Sequence, residues 1–181
     1  MTKFYIADNH FGHENIIKFD NRPFVSVEVM NQEMLLNWNR AVSPSDEVYI
    51  LGDIYMKMPP ADFMPILKKL NGHKHLIVGN HDRLNEDIRK QFVTISEIKE
   101  IRENNYRLFL CHYPVHMWNG NWHENSIHLY GHVHETMEYY ETLELSRLVS
   151  ELNPMKKGEM INVGAMMPWM DYTPRTLQEL L

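Results

Sequence analysis

A chain of 181 residues, 44% apolar and 23% charged, is long enough for one substantial core and has the balance of an ordinary globular protein. Its formal charge of −6 argues against a broad, sequence-independent grip on nucleic acid, which needs Lys and Arg facing the phosphates. A phosphate substrate stays open, because bound metal ions would reverse the local sign. The single cysteine, Cys111, excludes a disulfide framework and makes a reducing, cytoplasmic location the expectation. No apolar run approaches the ~20 residues of a membrane span, and the first strand begins too early for a signal peptide. The whole chain, 1–181, reads as one domain without repeat or linker.

Lys3 to Ala7 reads as a short strand that runs into Asp8-Asn9-His10 and then a polar loop through Phe11-Gly12-His13-Glu14. Ser26 caps a helix in which Val27, Met30, Met34, Trp38 and Ala41 recur every three or four residues, and Ser43-Pro44 stops it. Glu47 to Leu51 is a second strand, ending at Gly52-Asp53. Pro59-Pro60 opens the next helix, with Phe63, Ile66, Leu67 and Leu70 on one face and Asn71-Gly72 as its stop. A third strand, His75 to Val78, runs into Gly79-Asn80-His81-Asp82, and Leu84 to Phe92 reads as a short helix.

From Val93 the pattern is two strands joined by a tight turn at Glu103-Asn104-Asn105, the second ending at Cys111-His112. A loop rich in Trp, His and Asn follows. Ile127 to Tyr130 is a strand ending at Gly131-His132-Val133-His134. Leu145, Leu148, Val149 and Leu152 have helical spacing, Met160 to Gly164 is a last strand, and Thr176 caps a final turn. Strand and helix alternate early and strands dominate late, which points to an α/β fold with a mixed central layer.

Five of these strands end in groups that can hold a metal: Asp8 with His10, Asp53, Asn80 with His81, His112, and His132 with His134. Loops at the carboxyl ends of neighbouring strands converge on one crevice. Asp8, His10, Asp53, Asn80, His112, His132 and His134 are too many donors for one tetrahedral ion and suit a pair. Two divalent ions about 3.5–4 Å apart can clamp a phosphoryl group and activate a bridging water to hydroxide. Imidazole and oxygen donors without thiolate favour manganese, iron, nickel, cobalt or zinc over a structural zinc site; manganese is the ion expected, with iron, nickel, cobalt, zinc or magnesium as alternatives.

In order, Asp8-x-His10, Gly52-Asp53, Gly79-Asn80-His81-Asp82, His112 and Gly131-His132-x-His134 resemble the motif set of calcineurin-like metallophosphoesterases, over nearly the whole chain. The resemblance implies two mixed β-sheets packed as a sandwich and flanked by helices, around a dinuclear metal site. It implies that Asp8, His10, Asp53 and His134 hold one ion, and that Asp53 bridges to a second held by Asn80, His112 and His132. It makes His81 the catalytic group that contacts the phosphate and protonates the leaving oxygen, and Asp82 the carboxylate that orients it. The segment between Glu135 and Glu159 is longer than the family's usual connection, which leaves a homo-oligomer open.

The function expected is that of a metal-dependent phosphoesterase, a phosphodiesterase before a monoesterase, acting on a small or nucleotide phosphoester. The alternative is an inactive metal-binding or scaffold protein on the same fold. Three further residues are candidates for substrate contact. His13 follows the first motif, against a plain loop role. Trp118 lies in the aromatic loop, where a ring can stack a nucleobase or cover the core edge, and His123 can reach a phosphate. His73 and His75 are expected at the surface or as caps, and His128 exposed or packed. Cys111 reads as a small buried apolar residue.

Overall fold

Five of the strand segments carry consecutive buried side chains, as expected of strands covered on both faces, whereas the Ile98–Glu103 segment alternates exposed and half-buried residues. The structure, a computed structural model, describes residues Met1–Leu181. β1 (Lys3–Ile6), β2 (Glu47–Ile50), β3 (His73–Ile77) and β4 (Thr94–Ser96) form one four-stranded sheet in that order, every pair parallel. An antiparallel bridge of Tyr5 to Arg175 flanks it. β5 (Ile98–Glu103), β6 (Tyr106–Cys111), β7 (Ser126–Tyr130) and β8 (Glu159–Asn162) form the second sheet, mixed because β5 runs antiparallel to β6 while the other pairs are parallel. One continuous core of 34 buried residues takes side chains from both sheets, among them Ile6, Ile50, Leu76, Leu108, Leu110 and Leu129. The result is an α/β sandwich of two sheets with flanking helices.

The helices start where local chemistry satisfies their free N–H groups. α1 (Glu14–Phe19) was not anticipated; at six residues it is too short to show periodicity. α2 (Val27–Ala41) begins at Ser26, whose hydroxyl accepts from Val29 N, and Trp38 Nε1 donates to Asn71 O at 3.0 Å, pinning the helix to the turn before β3. α3 (Pro60–Lys69) opens on its prolines. α4 is reduced to Glu86–Arg89 behind an Asn85 cap. α5 (Met137–Leu152) is longer than its Leu spacing indicates; Thr136 caps it and only Thr142 is buried along it. α6 (Leu177–Leu180) closes the chain with a capping box between Thr176 and Glu179. No helix is long and apolar enough to cross a membrane.

The segment from Val93 to Ile101 behaves differently from the single strand expected. Thr94–Ser96 joins the edge of the first sheet beside β3, Glu97 crosses over, and Ile98 begins the second sheet opposite Cys111. One residue suffices to change sheets, so no turn signal marks the step. The hairpin at Asn104 is as expected, with Asn104 at φ 51°.

Two histidines are structural: His75, expected at the surface or as a cap, and His128, for which the packed alternative holds. His75 is buried, stacked on Tyr49 at 4.6 Å, with Nδ1 2.9 Å from Thr94 Oγ1; it ties β3 to β4. His128 is fully buried in β7. Its Nδ1 faces Phe109 O at 3.0 Å and so carries the hydrogen, while Nε2 accepts from Val115 N at 3.0 Å. The ring thereby anchors the loop that follows His112. Burial pushes His128 down to about 4, against the opposing pull of its backbone carbonyls.

The sign of that shift makes a testable pH dependence. A histidine whose folded value lies below 6.5 is held neutral, so its full stability is present above about pH 6.5 and is lost as pH falls towards about 4. The loss over that window should be about 3 kcal/mol. Thermal melting of the metal-free protein from pH 7.5 to 4, compared with His128→Phe, should show a shallower acid slope in the variant. Parallel slopes would show that His128 does not carry the effect.

Candidate metal centre

The five ligand-bearing strand ends meet where the two sheets touch. Ala7 N donates to Val163 O and Ala165 N to Ala7 O, both at 2.8 Å, so the end of β1 is stitched to the end of β8. Asp8 N donates to Gly52 O and His10 N to Asp53 O at 3.0 Å, and Gly131 N to His112 O at 2.9 Å. The loops after β1, β2, β6 and β7 are thus bonded to one another beyond the sheets. The backbone is bent sharply there: Asp8 (φ 54°), His10 (54°), Asp53 (53°), His132 (70°) and His134 (48°) are all left-handed. Such φ values are uncommon outside glycine, though Asp and His tolerate them better than most.

Asp8 and Asp53 each use one oxygen to hold a neighbouring loop. Asp8 Oδ2 accepts from His132 N at 2.9 Å and Asp53 Oδ1 from His81 N at 2.9 Å. Their other oxygens face the imidazoles. Asp53 Oδ2 lies 3.6 Å from His112 Nε2, 3.8 Å from His10 Nε2 and 4.0 Å from His81 Nε2. Asp8 Oδ1 lies 3.6 Å from His134 Nε2 and is buried without a hydrogen-bond partner. His10 Nε2 and His134 Nε2 face each other at 3.2 Å. His112 gives its Nδ1 hydrogen to Leu51 O at 2.7 Å, which turns Nε2 towards Asn80 Oδ1 at 3.0 Å. His132 stands with its ring 5.1 Å from that of His112.

Two overlapping triads result, Asp8-His10-His134 and Asp8-Asp53-His112, with donor atoms in each within 4.8 Å of one another. The donor set fits divalent cations: an unpartnered buried carboxylate oxygen, imidazole nitrogens aimed at it and at each other, and tautomers set by outer hydrogen bonds. Electrostatics agree. Burial raises Asp53, with the Asp8 charge adding to it against the pull of His112. Burial also pushes Asp8 upward, but the His134, His112 and His10 imidazoles outweigh it and hold that carboxyl well below its usual range. Burial lowers His10 and His132.

Asp82 has a different task from the one expected. Its Oδ2 accepts from Asp53 N at 3.0 Å and Gly79 N at 2.8 Å, and its Oδ1 from Ile54 N at 3.0 Å. Its hydrogen bonds all run to backbone and none to the His81 ring, so it clasps the β2 loop to the β3 loop. Burial nonetheless pushes its carboxyl up to about 6. Gly79 serves close approach, not a turn: a Cβ there would strike the Asp53 carboxylate. The His81 side chain is 40% exposed at the rim, its ring 5.9 Å from that of His10.

The three residues expected at the substrate divide. His13 is buried beside the site, its ring 5.6 Å from that of His10. Trp118 is not at the site; it packs with Phe109 and Cys111 on the second sheet and donates Nε1–H to Ser126 Oγ at 2.9 Å. His123 precedes β7, whereas His132 follows it, so five strand residues separate them, about 16 Å. The aromatic loop runs back along the sheet, drawn there by its apolar rings, which spacing in sequence does not reveal.

Sequence reasoning missed Asp20 and Arg22. Asp20 Oδ1 accepts from His134 Nδ1 at 2.8 Å, which aims Nε2 inward. Arg22 is buried and pairs with Asp20 Oδ2 at 2.9 Å, while its guanidinium also donates to Asn9 O at 2.8 Å and Asp8 O at 2.9 Å. Asp20 and Asp8 together outweigh burial and push His134 up to about 10. Only the pair Asp20-Asn21-Arg22 in a polar loop marked these residues, and such pairs are common at surfaces. Asp20→Ala should weaken manganese binding by about 10–100-fold, as loss of an outer carboxylate does, measured by calorimetry. Arg22→Ala should cost about 3–5 kcal/mol by leaving Asp20 Oδ2 and the Asn9 and Asp8 carbonyls without their buried donor, read from urea unfolding. Wild-type metal affinity in Asp20→Ala would show that the carboxylate does not position His134.

No family model matches the chain. It is 38% identical over 179 residues to the uncharacterized protein MJ1445 of Methanocaldococcus jannaschii, covering 98% of this chain and 88% of that one. Among solved structures, a protein of unknown function from Aquifex aeolicus, AQ665, superposes with a TM-score of 0.66 at 25% identity, over 98% of this chain and 96% of the other. A Pseudomonas putida nuclease MPE overlaps 73% of this chain and 61% of its own at 23% identity, with a TM-score of 0.46, too loose a match to argue from. With that identity over nearly its full length, the chain belongs to the same family as the Methanocaldococcus jannaschii protein.

Proposed function

We propose that the protein is a dinuclear metal-dependent phosphoesterase, acting on a small or nucleotide phosphodiester. The observation that carries this reading is the convergence on Asp53 Oδ2 of three imidazole nitrogens from three separate loops, beside the unpartnered Asp8 Oδ1. Asp8, His10, Asp53 and His134 would hold one ion, and Asp53, Asn80, His112 and His132 the other. Asp8 lies in both triads, and Asp53 Oδ2 stands between the two halves, 3.8 Å from His10 Nε2 and 3.6 Å from His112 Nε2. Bound divalent ions supply a positive field for the phosphate and an activated water. Manganese is the ion we expect, availability deciding among the divalent ions that imidazole and oxygen donors accept.

The chain's own residues do the rest. His81 is held by its backbone to Asp53 and presents its ring at the open rim, where Nε2 can hydrogen-bond a phosphate oxygen and give a proton to the leaving oxygen. Asp82 keeps the Asp53 and Gly79 loops at fixed separation, so that His81 and the ligands stay in register. The arrangement favours a compact anionic substrate over long nucleic acid, given the net charge of −6.

Hydrolysis of bis(p-nitrophenyl) phosphate and p-nitrophenyl phosphate, with and without manganese, tests the reading. Metal-dependent release of p-nitrophenol is expected, faster from the diester. His81→Ala should retain its metal and lose about 10²–10⁴-fold in turnover. Asp53→Ala should lose metal and activity together. Inertness towards a range of phosphoesters with several metals would sink the proposal, and an emptied site in His81→Ala would overturn the role of that residue.

A further inference from the structure

His81 also lines a cleft of about 340 Å³, whose wall includes Tyr55, Met56, Lys57, Met58 and Arg83. No acidic residue lines it. In a chain of net charge −6, two cations are brought together there. The ion pairs of Lys and Arg in this protein involve Arg22, Lys90, Arg147, Lys157 and Arg175, and neither Lys57 nor Arg83 is among them. Two exposed cations without carboxylate partners at the mouth of one cleft repel each other until an anion arrives.

The cleft is built, not a gap between mobile loops. Phe11 and Tyr55 form a parallel bridge beyond the sheet, and Met56 N donates to Phe11 O at 3.0 Å. Met58 packs on Gly12 so closely that a Cβ there would strike it. The Tyr55 hydroxyl donates to Arg83 O, tying the two walls. Lys57 is left-handed at φ 59°, a conformation that glycine would adopt with less strain. A long cationic side chain kept at a strained position beside a site points to use.

Position supplies the chemistry. Lys57 follows Asp53 by four residues and Arg83 follows His81 by two, so the cleft opens on the His81 side of the centre. If His81 protonates the leaving oxygen, the leaving group extends past it into this cleft. We propose that the cleft is the leaving-group subsite and that the leaving alcohol carries a second phosphate, held by Lys57 and Arg83. This deepens the phosphoesterase reading and rests on it for direction. In the reaction, water oxygen bonds to phosphorus and the bond from phosphorus to the leaving oxygen breaks. The His81 proton passes to that oxygen, the proton given up by the attacking water leaves to solvent, from which His81 is reprotonated, and no oxidant or reductant enters.

Binding measures the proposal without turnover. Calorimetry on the manganese-loaded protein would compare adenosine 3′,5′-bisphosphate with adenosine 3′-monophosphate and adenosine 5′-monophosphate. The bisphosphate should bind at least about tenfold more tightly than the better monophosphate, as expected for one added charge-assisted contact. Lys57→Ala with Arg83→Ala should erase that difference. Lys57→Gly should weaken the bisphosphate while melting no lower than the parent, because glycine fits the left-handed backbone; a purely structural lysine would not separate the two readouts. Metal content and melting temperature check each variant, and Lys57→Gln with Arg83→Gln is the milder pair. Equal affinity for bisphosphate and monophosphates, or a preference that survives the substitutions, would overturn the assignment. A single-stranded oligonucleotide held more tightly than the bisphosphate, and released by the same substitutions, would assign the cleft to a nucleic-acid backbone and overturn the small-molecule form. Failure of hydrolysis on every phosphoester would sink the phosphoesterase reading while leaving the affinities to decide the cleft.

Discussion

Each of the two central carboxylates does two things at once, and the site depends on it. Asp8 and Asp53 give one oxygen to a backbone N–H of a distant loop and turn the other inward. The first bond fixes where the loop after β7, or the loop after β3, can sit. The second oxygen is thereby aimed, and it is left unsatisfied by the protein in the case of Asp8. Asp82 repeats the device with both oxygens turned to backbone amides, a clasp between the loops after β2 and β3. A buried carboxylate that accepts several N–H bonds ties two loops together more effectively than apolar contacts of the same size, because the bonds are directional.

The same loops carry strain. Five candidate ligands, out of ten non-glycine residues with positive φ, adopt the left-handed conformation. At on the order of 1 kcal/mol each, that strain is comparable with a large share of a domain's net stability. It persists because the surrounding hydrogen bonds overdetermine the backbone: Arg22 grips the carbonyls of Asp8 and Asn9 from below, and Asn162 holds His134 O. The strain and its supports rest on different parts of the chain, so neither is visible from one motif.

Charge is arranged in layers around this centre. Buried carboxylates and imidazoles occupy the interior, Asp20 and Arg22 neutralise each other behind it, and on one side the cleft is lined by His81, Lys57 and Arg83. An overall acidic chain therefore has a cleft lined by cations and no carboxylate, which net charge alone hides.

What the sequence by itself determined is local. Short apolar runs followed by Asp, Asn or His mark five strand ends, because burial fixes the run and the turn that ends it needs small or polar residues. Ser26, Pro60 and Thr176 likewise announce their helices through chemistry contained within four residues. Only the tertiary structure decided the rest. Asp20 meets His134 across 114 residues and Asp8 meets His132 across 124, separations at which side-chain type carries no address. Trp118, legible as an aromatic near a ligand, was drawn to the opposite part of the sheet by a second small core. Asp82, adjacent to His81 in the chain, bonds instead to loops that only folding brings within reach. Neighbours in sequence share a loop; which way each side chain points is decided by the groups that the other loops deliver.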